Sequence, residues 1–291
     1  MTAFVLAIVV GAAVVYVAGW WRLGRRADRP VATWRLAAAL AALATIATAL
    51  VSPLDGLAHQ RFSAHMVQHL LLLTVAAPLG LLANPYPVVM WALPGRARLA
   101  LRPLLARGGT LRGWLRALTD MPLAWGLFAI TIWLWHVPAL YDRALGNDLI
   151  HALEHATLFG AALVFWWPLL APAPRVRPAV HPAAAVAYVV LAGFQSAGLG
   201  LGLTLWPSVL YTPYAGPAAG ALEDQAWGGV LMWAVSGVVD MAVVMALLWK
   251  FLAAGERAPS TVSVSHSGTT NPDARMTTRT RSNREHQLRA R

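Results

Sequence analysis

Seven apolar runs, each 17–28 residues long, take up most of this 291-residue chain. They cover 3–21, 34–52, 62–83, 121–137, 149–170, 183–205 and 225–252. A helix rises about 1.5 Å per residue and a bilayer's hydrocarbon core is roughly 30 Å thick, so each run is long enough to cross. In hydrocarbon every backbone N–H and C=O needs an internal partner, and runs of this length meet that need only as helices. The expected fold class is therefore all-α: a polytopic membrane bundle of about seven transmembrane helices, with the lipid bilayer as first partner. Only 12% of residues are charged, about half the usual share of a soluble domain. The first run is preceded by no basic residue and followed by Arg22, Arg25, Arg26 and Arg29, which reads as a retained span rather than a leader peptide.

The basic residues give the bundle a direction. Arg22, Arg25, Arg26, Arg29 and Arg35 lie between runs one and two. Arg96, Arg98, Arg102, Arg107, Arg112 and Arg116 lie between three and four, and Arg175 and Arg177 between five and six. The rest of this set lies from Lys250 onward, leaving only Arg61 and Arg143 for the other side. Positively charged loops stay cytoplasmic, so the N-terminus is expected outside and the C-terminus inside, in a cell (plasma) membrane. Two units are expected: a membrane domain over 1–252 and a disordered basic cytoplasmic tail over 253–291, rich in Ser, Thr and Arg. Segment 96–116 interleaves Arg with Leu, as an interfacial helix on anionic lipid does. The basicity sits at helix ends without interleaved aromatics, so nucleic acid is not an expected partner. Run six carries Gly198-x-x-x-Gly202, a spacing that admits close helix packing.

Chemistry concentrates in the histidines. His59, His65, His69, His136, His151 and His155 all fall on the expected outer side, against His181 on the inner side and His266 and His286 in the tail. His65 and His69 are four apart and share one face of span three. His151 and His155 do the same on span five, with Glu154 on that face. His136 ends span four. Two such pairs at matched depth can converge on one centre, and ionisable groups inside a span are usually functional. The candidate metal ligands are His65, His69, His136, His151, His155 and Glu154. Imidazole suits copper, zinc or haem iron, and with no cysteine in the chain any metal is held without thiolate. Met66 sits about 100° around the helix from His65 and is a poor ligand for that face, whereas Met232, Met241 and Met245 remain candidates. His151-Ala152-Leu153-Glu154-His155 also matches the H-x-x-E-H pattern of inverted zinc proteases.

These motifs occur in an ordered series. Phe62-Ser63-Ala64-His65-Met66-Val67-Gln68-His69 is followed by Ala77-Pro78 and Asn84-Pro85. Trp135-His136-Val137-Pro138-Ala139-Leu140-Tyr141 then leads into His151–His155 and Phe165-Trp166-Trp167-Pro168, and Asp224-Gln225 precedes Gly229-Val230-Leu231-Met232-Trp233. Over roughly 50–250 the series resembles the polytopic CtaG-type cytochrome c oxidase assembly factors. The resemblance implies a non-enzymatic part in building a haem–copper oxidase, with oxidase subunits as partners during assembly and copper as the handled cofactor. Two alternatives stay open: a haem-binding membrane electron carrier, and a zinc metalloprotease using the H-x-x-E-H segment. His59 and Asp240 match nothing in the family pattern and receive no role from it.

Overall fold

A run of apolar residues closed by proline, glycine or a polar cap becomes one helix here, and the helices follow one another with short connections. The computed structural model describes residues 2–25, 31–106, 108–215 and 220–256, and no strand occurs among them. In chain order the α-helices are α1 (Thr2–Gly24), α2 (Thr33–Val51), α3 (Pro53–Ala58), α4 (Phe62–Leu70), α5 (Ala77–Leu82), α6 (Pro85–Ala92), α7 (Gly95–Leu105), α8 (Thr110–Leu118), α9 (Met121–Trp135), α10 (Pro138–Leu145), α11 (Asp148–Leu170), α12 (Pro182–Leu205) and α13 (Ala221–Glu256). A π-helical stretch, Leu71–Ala76, joins α4 to α5 into one span, Phe62–Leu82. That span and α1, α2, α11, α12 and α13 are each long and apolar enough to cross a membrane. Helices α8 and α9, bent by 70° to one another, pass the same test only when taken together, which gives six candidate crossings, or seven with the pair counted as one. The protein is thus an all-α polytopic bundle, as the seven apolar runs require. Expected segment 96–116 folds as two short helices, α7 and α8. The expected tail, 253–291, begins inside α13, which runs to Glu256; the rest of it lies outside the described residues, as do Arg26, Arg29, Arg107, His266 and His286.

The middle of the bundle is the pair formed by α11 and the Phe62–Leu82 span, with α2, α9 and α12 around them. Helix α1 lies against α2 and α6, where Tyr16, Ala38, Ala39 and Val88 form a smaller apolar cluster. Large apolar side chains on the outside, such as Phe4, Ile8, Phe194, Val238 and Met245, are exposed in the bare chain, which is what a lipid-facing surface requires.

The π-helical stretch has a cause that can be traced. In its wider register the Ala77 N–H bonds to the Leu72 carbonyl. The Leu73 carbonyl would then look to residue 78, which is Pro78 and has no N–H. The indole of Trp166 on α11 fills the gap, donating to that carbonyl at 2.9 Å. A proline on one helix and a tryptophan on its neighbour therefore fix one irregular turn, one turn below His69. At the same end of the bundle Tyr16 donates to the Ala83 carbonyl at 2.7 Å, and Tyr188 to the Phe165 carbonyl at 3.0 Å. Asn84, in the left-handed region at φ 51°, takes the Ala173 N–H at 2.7 Å.

Small residues bring α12 and α13 together, in a register other than the expected one. A side chain on Gly198 or Gly202 would meet nothing within 4 Å among the described residues. Gly200 makes the approach instead: a Cβ there would lie 2.8 Å from the Gly229 carbonyl oxygen and 3.1 Å from the Trp233 nitrogen. The motif identifies a close-packed helix, but its rotation against the partner depends on packing that the spacing alone does not encode.

Candidate metal centre

The site is assembled from α4 and α11, with α3 packed on the first and α10 on the second. Proline at the first position of α3 and α10, the Ser52 hydroxyl accepting the Leu54 N–H, and the Asn147 side chain accepting from Leu149 and Ile150 all set where helices begin. The Asn147 cap fixes the depth of His151, Glu154 and His155 along α11. On α4, His65 and His69 stand one turn apart, and on α11 His151 and His155 do the same with Glu154 beside them. The faces the spacing defines turn toward each other, and all five side chains are buried: His65 and Glu154 at 0% exposure, His151 at 2%, His69 at 5% and His155 at 6%.

The rings are in contact. Centroids are 4.4 Å apart for His65 and His69 and for His151 and His155, 5.2 Å for His65 and His151 and for His69 and His155, and 5.7 Å for His65 and His155. The Nε2 atoms of His65 and His69 lie 2.9 Å apart. Glu154 reaches both, Oε2 at 3.7 Å from His65 Nε2 and Oε1 at 3.6 Å from His69 Nε2. Two overlapping trios, His65–His151–His155 and His65–His69–Glu154, each bring one ligand atom per residue within 4.8 Å of the others. Among the described residues, both Glu154 oxygens and the Nε2 atoms of His151 and His155 have no hydrogen-bond partner. Buried polar atoms are nearly always paired, so a concentration of unpaired ones calls for a specific reason.

A tyrosine loop covers the cluster. Tyr214 donates its one hydroxyl proton to the Ala58 carbonyl at 2.7 Å, and its oxygen lies 3.4 Å from His65 Nδ1. With that proton used, the second contact runs from His65 Nδ1–H to the hydroxyl oxygen. His65 Nε2 is then left with its lone pair facing the other imidazoles, the tautomer a metal ligand needs. Tyr141 stands 3.3 Å from the Tyr214 hydroxyl, and Tyr211 donates to the His136 carbonyl at 3.1 Å. Phe62 stacks on Tyr211. Burial pushes the phenols of Tyr141, Tyr211 and Tyr214 above the ordinary range, so they act as neutral hydroxyls.

Not every sequence candidate joins the cluster. His136, at the C-terminal cap of α9, is buried but belongs to neither trio. Met241 and Met245 face outward at 62% and 58% exposure, while Met232 is buried. Asp240 lies against Gly193 between α12 and α13 and belongs to neither trio. Conversely, His59 is at the cluster's rim, its ring 5.1 Å from His151 and its Nδ1 bonded to the Asp55 carbonyl at 2.8 Å. Gln68, fully buried, donates to the Ala49 carbonyl and to Asp55. Tyr211 and Tyr214 gave no signal in the sequence, because they reach the site from the connection between α12 and α13, whose single 3-10 turn, Thr212–Tyr214, is too short to show a period. An apolar cleft of about 710 Å³, bordered by Val5, Ile46, Leu50 and Phe159, runs between α1, α2 and α11 and has His155 and Asp55 in its wall.

The model of the cytochrome c oxidase caa3 assembly factor family matches residues 14–254. The chain belongs to that family. The match takes in every described helix that builds the cluster and extends the resemblance toward the N-terminus, into α1. No curated protein and no solved structure matches the chain.

Proposed function

We propose that this caa3 assembly factor binds copper at the histidine cluster and passes it to an oxidase subunit during assembly. The observation that carries the reading is the set of unpaired lone pairs: two carboxylate oxygens and two imidazole nitrogens, all buried, beside a 2.9 Å pair of imidazole nitrogens. A cation replaces that deficit with bonds. His65, His151 and His155 supply nitrogen donors, and His69 and Glu154 a second, overlapping set. The separations suit a single ion and leave no slot for a porphyrin between the rings. Imidazole and carboxylate without thiolate suit a metal that must be released again. Arginine-bearing loops 96–116 and 175–177 face the cytoplasm in this reading and the cluster lies toward the outer surface, with the C-terminus inside.

A second reading rests on one observation: Glu154 lies beside a three-imidazole trio, as the water-activating carboxylate of a zinc hydrolase does. The two separate cleanly. In a strain lacking the protein, wild-type chain restores oxidase copper and His65→Ala or His155→Ala does not. Normal oxidase copper in the deletion strain contradicts the copper role. Under the hydrolase reading Glu154→Gln abolishes function while zinc stays bound.

A further inference from the structure

His136 is the one candidate histidine that the cluster leaves out, and it stands at a second cavity. Its Nδ1 lies 2.7 Å from the Ile132 carbonyl, which can only accept, so Nδ1 carries the hydrogen and Nε2 the lone pair. That Nε2 is buried and has no partner among the described residues. The ring lines a cavity of about 50 Å³, bounded also by Met66, His69, Ser196, Met232 and Ser236. The helical register explains who meets there. Phe128, Ile132 and His136 recur every fourth residue on α9, Met232 and Ser236 do so on α13, and Met66 neighbours His69 at three residues' spacing on α4. The rotation that turns Met66 away from His65 is what turns it into this cavity.

We propose that the cavity is a second, softer metal position, selective for Cu(I), with His136 Nε2 and the thioethers of Met66 and Met232 as its donors. Among the described residues no carboxylate lines it, whereas the neighbouring cluster holds Glu154. Neutral thioether and imidazole donors suit a soft monovalent ion, and imidazole with carboxylate suits a harder divalent one. His69 belongs to both walls: its Nε2 touches His65, and its ring lines the cavity. It is the step between the two positions. Nδ1–H of His136 bonded to a backbone carbonyl is the support that an imidazole ligand uses. The proposal rests on the copper reading of the cluster for the metal's source, but its ligands are a separate set.

The test uses full-length protein in detergent, titrated anaerobically with Cu(I) against a chromophoric chelator, with copper X-ray absorption on the loaded samples. Wild type is expected to take up about two equivalents and to show a sulfur shell. Met66→Leu/Met232→Leu, a swap of nearly equal volume, is expected to drop one equivalent and lose the sulfur shell. The remaining equivalent is expected to disappear with His155→Ala. Absence of sulfur scattering from wild type, where folding of a variant is not in question, overturns the proposal and leaves the cavity as a water site. A single equivalent that is lost with His155→Ala and untouched by the leucine pair also overturns it while the proposed function stands. A single sulfur-ligated equivalent, lost with the leucine pair and indifferent to His155→Ala, upholds it and removes the cluster's copper role.

Discussion

The two ends of the central helix pair are built on opposite rules. At one end, the Phe62–Leu82 span and α11 present five buried polar side chains, several of which have no hydrogen-bond partner among the described residues. Toward the other, starting one turn below His69, Trp166 of α11 and Tyr188 of α12 donate to backbone, and each named polar group has a partner: Leu73, Phe165 and Ala83 carbonyls are all taken. An unpaired buried group costs roughly 1–3 kcal/mol, so the first end is a reservoir of instability and the second is ordinary structure. The contrast points to where function lies. Proteins tolerate such a reservoir at sites whose partner arrives from outside.

The largest effect is expected at the ligands. His155→Ala is expected to lower copper affinity by more than the roughly 10–100-fold typical of losing a supporting group, measured by chelator competition on purified protein. An unchanged affinity would make the histidine end mere packing. Tyr214→Phe removes the hydroxyl under His65 and is expected to weaken binding by about 10–100-fold, with a destabilisation of about 1–3 kcal/mol because the buried Ala58 carbonyl also loses its donor. Thermal unfolding beside the copper titration separates the two effects. Trp166→Phe at the opposite end should change stability alone. It orphans the Leu73 carbonyl and is expected to destabilise by about 1–3 kcal/mol, with copper affinity held. Glu154→Leu probes the contrast most finely, although its effect is the smallest. Removing an unpartnered carboxylate is expected to stabilise the metal-free protein by about 1 kcal/mol while weakening copper binding. If that variant melts lower than wild type without metal, the first end holds no such reservoir.

Some of this architecture is legible in the chain and some is not. Span count and the five-residue cluster are legible, because length decides crossing and a four-residue step decides a helix face. His136 is legible as a polar residue at a span's end but not as a member of another cavity, since its partners Met66 and Met232 come from two other helices. Gly200 rather than Gly198 or Gly202 makes the close approach, because rotation between helices is settled by mutual packing. The π-helical turn needs Trp166, 93 residues away from the carbonyl it caps. Tyr214 comes from the connection between α12 and α13, whose one short turn shows no period to mark the residues that will face inward.

The most direct measurement is copper content per chain of the purified full-length protein after copper loading and buffer exchange, beside the His65/His69/His151/His155→Ala quadruple variant. Wild type retaining tightly held copper, one equivalent of which the variant loses, is the predicted result. Equal copper in the two proteins, or none in wild type, would contradict the claim that the histidine end of this bundle exists to hold a metal.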